Sequence, residues 1–438
     1  MSSSCRPART WAASRAGSRS WCWTASCLPN ERHCWSTLGP IRTSADRLAA
    51  WAAGFEPTED DLALAHRSLV DTVAVAVAGR GEAVTRIAAA DGEATHWAAA
   101  GHALDYDDLH LESTAHISVV CLVAALTAGG GAEAYLAGAG VMARLGTALG
   151  WEHYRRGWHA TCAAGAPAAA VAAGLAFGLD AQALARALAL AVPAAGGVQR
   201  AFGTMAKPLQ VGFAVSAGVR AARLARAGAT ADPAALDDWI ELLGGSLRRV
   251  ETEAAGPAVP GGLAVKLYPC CYALQRPIAA AATLRVDPET VEAIKVRTPE
   301  ASLQPLNRHR PKTGLEGKFS LEYGLAAALL DHPVGFASFS DDCIARPQAQ
   351  RLLELVEAEA RPGGSGLLDG HCEVEIKTPV ATRVARVDLP PGAPGRPATG
   401  DDLKAKVADC CGELAEEVLA LDWPEAAGFL RRVLPVGP

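Results

Sequence analysis

A chain of 438 residues with 47 acidic and 41 basic side chains carries a formal charge of only −6. No dense Lys/Arg block interrupts it after residue 44, which argues against nucleic acid as the main partner. Half the residues are hydrophobic and few are aromatic, and apolar runs such as Ala163 to Leu179 are broken by Gly and Pro, so they read as core helices and not as membrane spans.

The twelve cysteines form no CxxC pair. Four fall in the first few dozen residues, and two vicinal pairs follow, Cys270-Cys271 and Cys410-Cys411. That leaves little support for a zinc ribbon or an iron–sulfur centre, and a reducing cytoplasm is the simplest setting.

Residues 1–43 differ from everything after them. They hold Trp11, Trp21, Trp23 and Trp35, many Ser and Arg, and one acidic residue, Glu31. No helical or strand period runs through them, so they read as an extension foreign to the fold, disordered or artefactual.

Orderly patterning begins at residue 44. Ser44-Ala45-Asp46 predicts a capped helix through Ala53, and Pro57 to Asp60 opens another to about Ala78. Residues 79–101 show little pattern. Helical runs then cover 115–128, 132–148, 163–178, 181–192, 208–228 and 233–243, with glycine-rich punctuation between them. Together 44–260 predict one large helical domain. After Gly256-Pro257 the period changes. Val291 to Thr298, Cys372 to Thr378 and Val384 to Leu389 alternate like strands, and 321–330 and 347–359 pattern as helices. This predicts a smaller α+β domain over 261–400. Asp401-Asp402 opens a last helix, 402–420, so that 401–438 returns to the helical domain. The fold class is mainly α with a smaller α+β part.

Four charged segments each precede a predicted helix. Leu104 to His116 crowds Asp105, Asp107, Asp108, Glu112, His110 and His116 against an apolar run, with Ser113-Thr114 as the expected cap and His116 in the first turn. A continuous helix there would put Asp105, Asp108, Glu112 and His116 on one face, but Ser113-Thr114 favours a loop followed by a cap. Arg155 to Thr161 places His159 at the next start. Phe202 to Pro208 puts Pro208 at a first helical position and Lys207 at its cap. Lys266 to Cys271 leads into 273–284. A helix N-terminus attracts anions and keeps a nearby imidazole neutral. Convergence of these starts, with Lys207 and Lys266, would make an electropositive pocket for a di- or tricarboxylate, suited to proton abstraction beside a carboxylate. Each segment also has an ordinary reading: a structural His, a surface Lys, a solvated Asp107-Asp108 loop, a turn with two buried thiols.

In order and wording these segments resemble the 2-methylcitrate dehydratase (MmgE/PrpD) family, which includes cis-aconitate decarboxylase and an iminodisuccinate epimerase. The resemblance runs from about Thr43 onward. It is carried by Leu104 to Asp108, Gly157 to Thr161, Gly203 to Lys207, Lys266 to Cys271 and Glu316 to Tyr323. It implies a large helical domain with an α/β lid, a site between them, a homodimer, and no metal or organic cofactor. The site residues it implies are Asp105, His116, His159, Lys207, Lys266 and Tyr323, with Thr204 and Cys271 beside the substrate. His159 and His116 would be acid/base groups, Lys207 and Lys266 carboxylate holders, Asp105 an orienting group and Tyr323 a closing residue from the lid.

The chain departs from the family pattern at several places. Leu109 stands where Thr is frequent, His116-Ile117 replaces His-Pro, and the spacing from Asp105 to His116 is altered. The stretch before His102 is shorter. Cys271 stands where the decarboxylase branch has His, which argues against that branch. The leading expectation is a cytoplasmic, cofactor-independent hydro-lyase for a citrate-like acid, 2-methylcitrate dehydratase-like. Its rivals are a dicarboxylate epimerase, a cis-aconitate-type decarboxylase, and an inactive polycarboxylate-binding relative. A metal-hydrolase reading of His96, His102, His110, His116 and the Asp cluster lacks any HExxH-type ligand spacing.

Overall fold

Thr43 is the first residue that the computed structural model describes; the described residues are 43–250, 256–362, 366–367 and 369–435. The extension at 1–42 lies outside them. Thr43 belongs to the fold: its hydroxyl accepts the Asp46 N–H, and the Asp46 carboxylate accepts the Thr43 N–H in return. This capping box sits one residue before the cap expected at Ser44.

From there the chain runs through α1 (Ser44–Ala53), α2 (Glu59–Gly79), α3 (Ala83–Ala88), α4 (Glu93–His102), α5 (Ser118–Thr127), α6 (Ala132–Arg155), α7 (Ala160–Ala176), α8 (Ala181–Ala191), α9 (Ala206–Arg226) and α10 (Ala235–Leu242). α4 falls where the sequence shows no pattern. From Thr95 to His102 every residue is buried, and a helix covered on all sides needs no polar face, so it displays no period.

α4, α7 and α9 pack at backbone distance, and glycine permits it. A Cβ on Gly218 of α9 would lie 2.5 Å from the Ala166 carbonyl oxygen of α7. One on Gly212 would lie 2.9 Å from the Thr95 carbonyl oxygen of α4. Close approach fixes where these three helices end: His102 at the end of α4, His159 capping α7 and Lys207 in the first turn of α9.

The second part comprises α11 (Gln275–Leu284), β1 (Ala293–Pro299), α12 (Glu300–Leu303), α13 (Gly314–Gly317), α14 (Leu321–Leu330), α15 (Asp341–Ala345), α16 (Pro347–Glu354), β2 (Val356–Arg361), β3 (Cys372–Lys377) and β4 (Thr382–Val387). The sheet order is β2-β1-β3-β4, with β1 and β2 parallel and the other pairs antiparallel. Ile294 and Val296 of β1 and Cys372, Val374 and Ile376 of β3 turn inward to a core shared with α11 and α14. Residues 356–359, expected at the end of a helix, open β2 instead. Their Val-Glu-Ala-Glu alternation gives no helical face, and the glutamates of β2 meet Lys295 and Arg297 of β1.

The chain closes with α17 (Gly400–Cys411), α18 (Ala415–Leu419) and α19 (Trp423–Val433). Val407, Cys410, Cys411, Val418, Phe429 and Leu430 join the core of the helical part. The fold is mainly helical with a smaller α/β part.

Candidate active site

The loop between α4 and α5 is built almost entirely from buried residues. Asp105, Asp107, Asp108, His110 and His116 are each 6% exposed or less, so Asp107-Asp108 is no solvated turn. Asp105 and Thr114 adopt positive φ, of 52° and 55°, conformations that a side chain tolerates only where its surroundings hold it. Leu109 pairs with Ala264, and His110 with Ala115. His110 is structural: Nδ1 meets the Ser113 hydroxyl at 2.8 Å and Nε2 meets the Pro260 carbonyl at 2.7 Å.

The expected helix cap moves. Ser113-Thr114 lies in a turn before His110–Ala115 closes, and α5 starts at Ser118. The Ser118 N–H donates to Asp108 Oδ1 at 3.1 Å, and the Ser118 hydroxyl donates to Asp108 Oδ2. A buried carboxyl therefore caps the helix through space, and burial pushes it up to about 7. His116 sits just before the helix, and the one-face helical arrangement is not formed.

Asp105 is the hub. Its Oδ1 accepts from Lys207 Nζ at 3.0 Å and Lys266 Nζ at 2.8 Å, and lies 3.6 Å from His116 Nε2. Lys266 also donates to the Asp105 carbonyl at 2.7 Å. Burial alone would raise this carboxyl, but Lys207 and then Lys266 hold it well below the usual carboxylate range. Lys266 gains in return: burial works against its charge, and Asp105 and Asp107 more than restore it, so its pKa is raised.

Asp107 forms a second hub, with His102 Nδ1 at 2.8 Å and His116 Nδ1 at 3.1 Å from its Oδ2. Burial would neutralise it, and the two imidazoles outweigh that and keep it ionised. His102 Nε2 lies 2.6 Å from Lys207 Nζ. An ionised carboxylate only accepts, so His102 carries its proton on Nδ1, and its Nε2 takes a hydrogen bond from the Lys207 ammonium. Burial pushes His116 down to about 3 against the pull of Asp107. Burial, then Lys207 and His102, hold His159 well below the ordinary imidazole range. The site thus contains neutral imidazoles beside two ammonium groups, with the His102 ring 4.6 Å from that of His116 and 6.0 Å from that of His159.

The structure gathers Asp105, His116, His159, Lys207 and Lys266. Cys271 joins them as a neutral thiol, pushed up to about 12 by burial and by Asp105, with its N–H on the Lys318 carbonyl. Tyr323 does not join. It is buried in the core of the second part, and its hydroxyl donates to the Ser338 carbonyl. The Ser320 cap turns it inward on the first turn of α14, against Phe339. Thr204 is exposed, and its hydroxyl donates to the Ala201 carbonyl at 2.7 Å, building the turn that delivers Lys207. The wall from the second part is instead Phe319, stacked on Phe202 with Lys207 Nζ 5.5 and 5.4 Å from the two ring centres. α9 opens at Ala206, so Pro208 stands third in the helix and Lys207 is already inside it.

Donor atoms of His102, Asp105, Asp107 and His116 lie within 4.8 Å of one another, as a metal set would. Among these residues, Asp105 Oδ1 and His102 Nε2 take hydrogen bonds from ammonium groups that supply positive charge locally. Residues 89–240 match the MmgE/PrpD N-terminal domain, and residues 268–422 match the MmgE/PrpD C-terminal domain. The chain belongs to the MmgE/PrpD family. It is 26% identical over 376 residues to a cis-aconitate decarboxylase of Aspergillus terreus, covering 75% of each chain. It is 28% identical over 240 residues to one from Mus musculus, covering 50% of this chain and 48% of that one. A human cis-aconitate decarboxylase matches similarly, 28% over 236 residues.

Within this MmgE/PrpD site three groups were missing from the residues expected in the anion pocket. His102 ends the patternless stretch and entered the sequence reading only as a candidate metal ligand. Asp107 looked like half of a solvated pair. Gln210, whose amide nitrogen lies 2.8 Å from His159 Nδ1, sits one helical turn after Lys207, a spacing that places both at the same end of α9.

Proposed function

We propose that this family member is a cofactor-independent lyase for a citrate- or aconitate-like polycarboxylate, working by proton transfer at the carbon next to a carboxylate. The observation that carries this is the convergence of Lys207 and Lys266 on one buried carboxylate beside His116. Ammonium groups held in a dry site stabilise the enolate-like charge that forms when that proton leaves. His116, whose Nδ1 lies 3.1 Å from the Asp107 carboxylate, is our base, acting through Nε2 when its proton is on Nδ1. In a dehydration it takes the α proton, the C–H electrons form the double bond, and the β-hydroxide leaves as water with a proton from the Lys207 ammonium.

Water elimination is our preferred outcome, because Cys271 stands where the resemblance puts a His in the decarboxylase branch, and burial keeps its thiol neutral. Decarboxylation is the second reading, favoured by the likeness to proteins named cis-aconitate decarboxylase. Incubation with methylcitrate, citrate and cis-aconitate in deuterated water, followed by NMR, tests both. A new alkene with loss of the hydroxyl supports dehydration, and carbon dioxide release from cis-aconitate supports the second reading. Deuterium uptake with neither would point to epimerisation, and no change with any acid would defeat the proposal.

A further inference from the structure

The Gln210 amide fixes which nitrogen of His159 holds the proton. Gln210 Oε1 lies 3.0 Å from the Val198 N–H, a group that can only donate. The amide must therefore turn its nitrogen the other way, toward the Val198 carbonyl at 3.3 Å and His159 Nδ1 at 2.8 Å. An amide nitrogen only donates, so Nδ1 accepts. The Cys162 sulfur, 3.2 Å from the same Nδ1, is a second donor, because burial raises its thiol and keeps it protonated. No carboxylate reaches Nδ1 among the described residues. The one proton of the neutral ring is thus on Nε2, and Nε2 has no protein partner among the described residues.

The surroundings are built for this contact. Gly197, at φ 97°, stands where a Cβ would lie 2.9 Å from Cys162 Sγ and 3.3 Å from Gln210 Oε1. The His159 N–H donates to the Gly197 carbonyl at 2.9 Å. His159 is also the N-cap residue of the 17-residue α7, whose N-terminal field opposes a second proton. His102 is the reverse case, since Asp107 holds its proton on Nδ1.

We propose that His159 acts as a neutral hydrogen-bond donor through Nε2, polarising a substrate carboxylate or its enolate, and that Gln210 is the positioning residue that sets this tautomer. The substrate half rests on the lyase reading above; the tautomer half does not. A neutral imidazole at a helix start is a known way to polarise an oxygen without delivering a full proton. It leaves His116 as the base and makes His159 part of the oxyanion-stabilising set.

The test has two independent arms. The full chain labelled with 15N-histidine, with His159 assigned by loss of its signals in H159A, reports the tautomer by NMR. An unprotonated Nδ1 and a protonated Nε2 at neutral pH, reversed in Q210E, support the proposal. A protonated Nδ1 in the unaltered chain overturns it, whether or not any acid is turned over. In the turnover arm, Q210E is expected to lower kcat about 100-fold, the loss of one such donor, with KM nearly unchanged. H159Q, whose amide can still donate, is expected to retain more turnover than H159A. Equal inactivity of H159Q and H159A overturns the donor role. Absence of turnover by every acid in the unaltered chain defeats the lyase reading while the NMR arm still decides the tautomer.

Discussion

Asp105 binds two ammonium groups within 3.0 Å and is buried. In Asp105→Asn those ammonium groups would face each other without a carboxylate between them. Breaking a buried ion pair in this way costs about 3–5 kcal/mol, and urea unfolding at neutral pH should show that loss. The variant should recover as pH rises, because the unfolded chain then holds more protons than the folded one. Unaltered protein should show its own slope. Burial lowers His102, His110, His116, His153 and His159, to about 3 for His116 and about 4 for His153. Unfolded imidazoles protonate first, so this stability is whole above about 6.5 and is lost as pH falls toward 4. Asp71 and Asp108 are raised and act in the opposite sense, but the imidazoles outnumber them. Denaturation midpoints should therefore fall between pH 7 and pH 5. At this scale the sequence revealed residue types better than partners. Asp105, His116, His159, Lys207 and Lys266 could be named from their helix starts. Gln210 and Asp107 could not, because an amide on a helix or one member of an Asp pair carries no local mark of what it touches. Tyr323 misled for the same reason: its hydroxyl has a carbonyl to bond inside its own core.

Among elements, the glycines of α9 decide how close the site residues come. A Cβ at Gly218 would meet backbone atoms of α7, Ala166 at 2.5 Å and Ala170 at 2.7 Å. Backbone cannot step aside as a flexible side chain can, so Gly218→Ala should cost about 1–3 kcal/mol and lower turnover by shifting Lys207 from His159. Gly81→Ala, at an exposed position with nothing within 4 Å of the added atom, should leave both unchanged. Thermal unfolding and steady-state rates of the pair make the comparison. Amphipathic helices such as α1, α2 and α8 were legible because one face meets water. α4 was hidden by complete burial, and β2 by short alternation that only its partner strand makes meaningful. α19 was missed, although Asp422 caps it and Pro424 stands in its first turn.

Across the whole molecule, the C-terminal helices reach the site loop from behind. Lys406 of α17 lies 2.6 Å from Asp71 of α2 and donates to the Tyr106 carbonyl at 2.8 Å, with all its charge buried. Lys406→Met would strand Asp71 and release Tyr106, at a cost of about 3–5 kcal/mol. The double variant Asp71→Asn with Lys406→Met should regain much of that stability, measured by a denaturant double-mutant cycle. Turnover should stay reduced, because the carbonyl next to Asp105 would still lack its donor. The return of the chain's end to the helical core was expected from the helix that Asp401-Asp402 opens, but this bond spans 300 residues and has no sequence signal.

Asp105 gives the resting pocket an anion of its own. A chloride or phosphate ion arriving from solution meets lysines whose charge is already taken by a tethered group at high effective concentration. A single negative charge gains little by displacing it. On the proposed function a polycarboxylate would gain more, since it would offer one carboxylate to each lysine. The enzyme's discrimination against simple salts is then set by an internal competitor, and its turnover should stay nearly constant as chloride is raised through the physiological range.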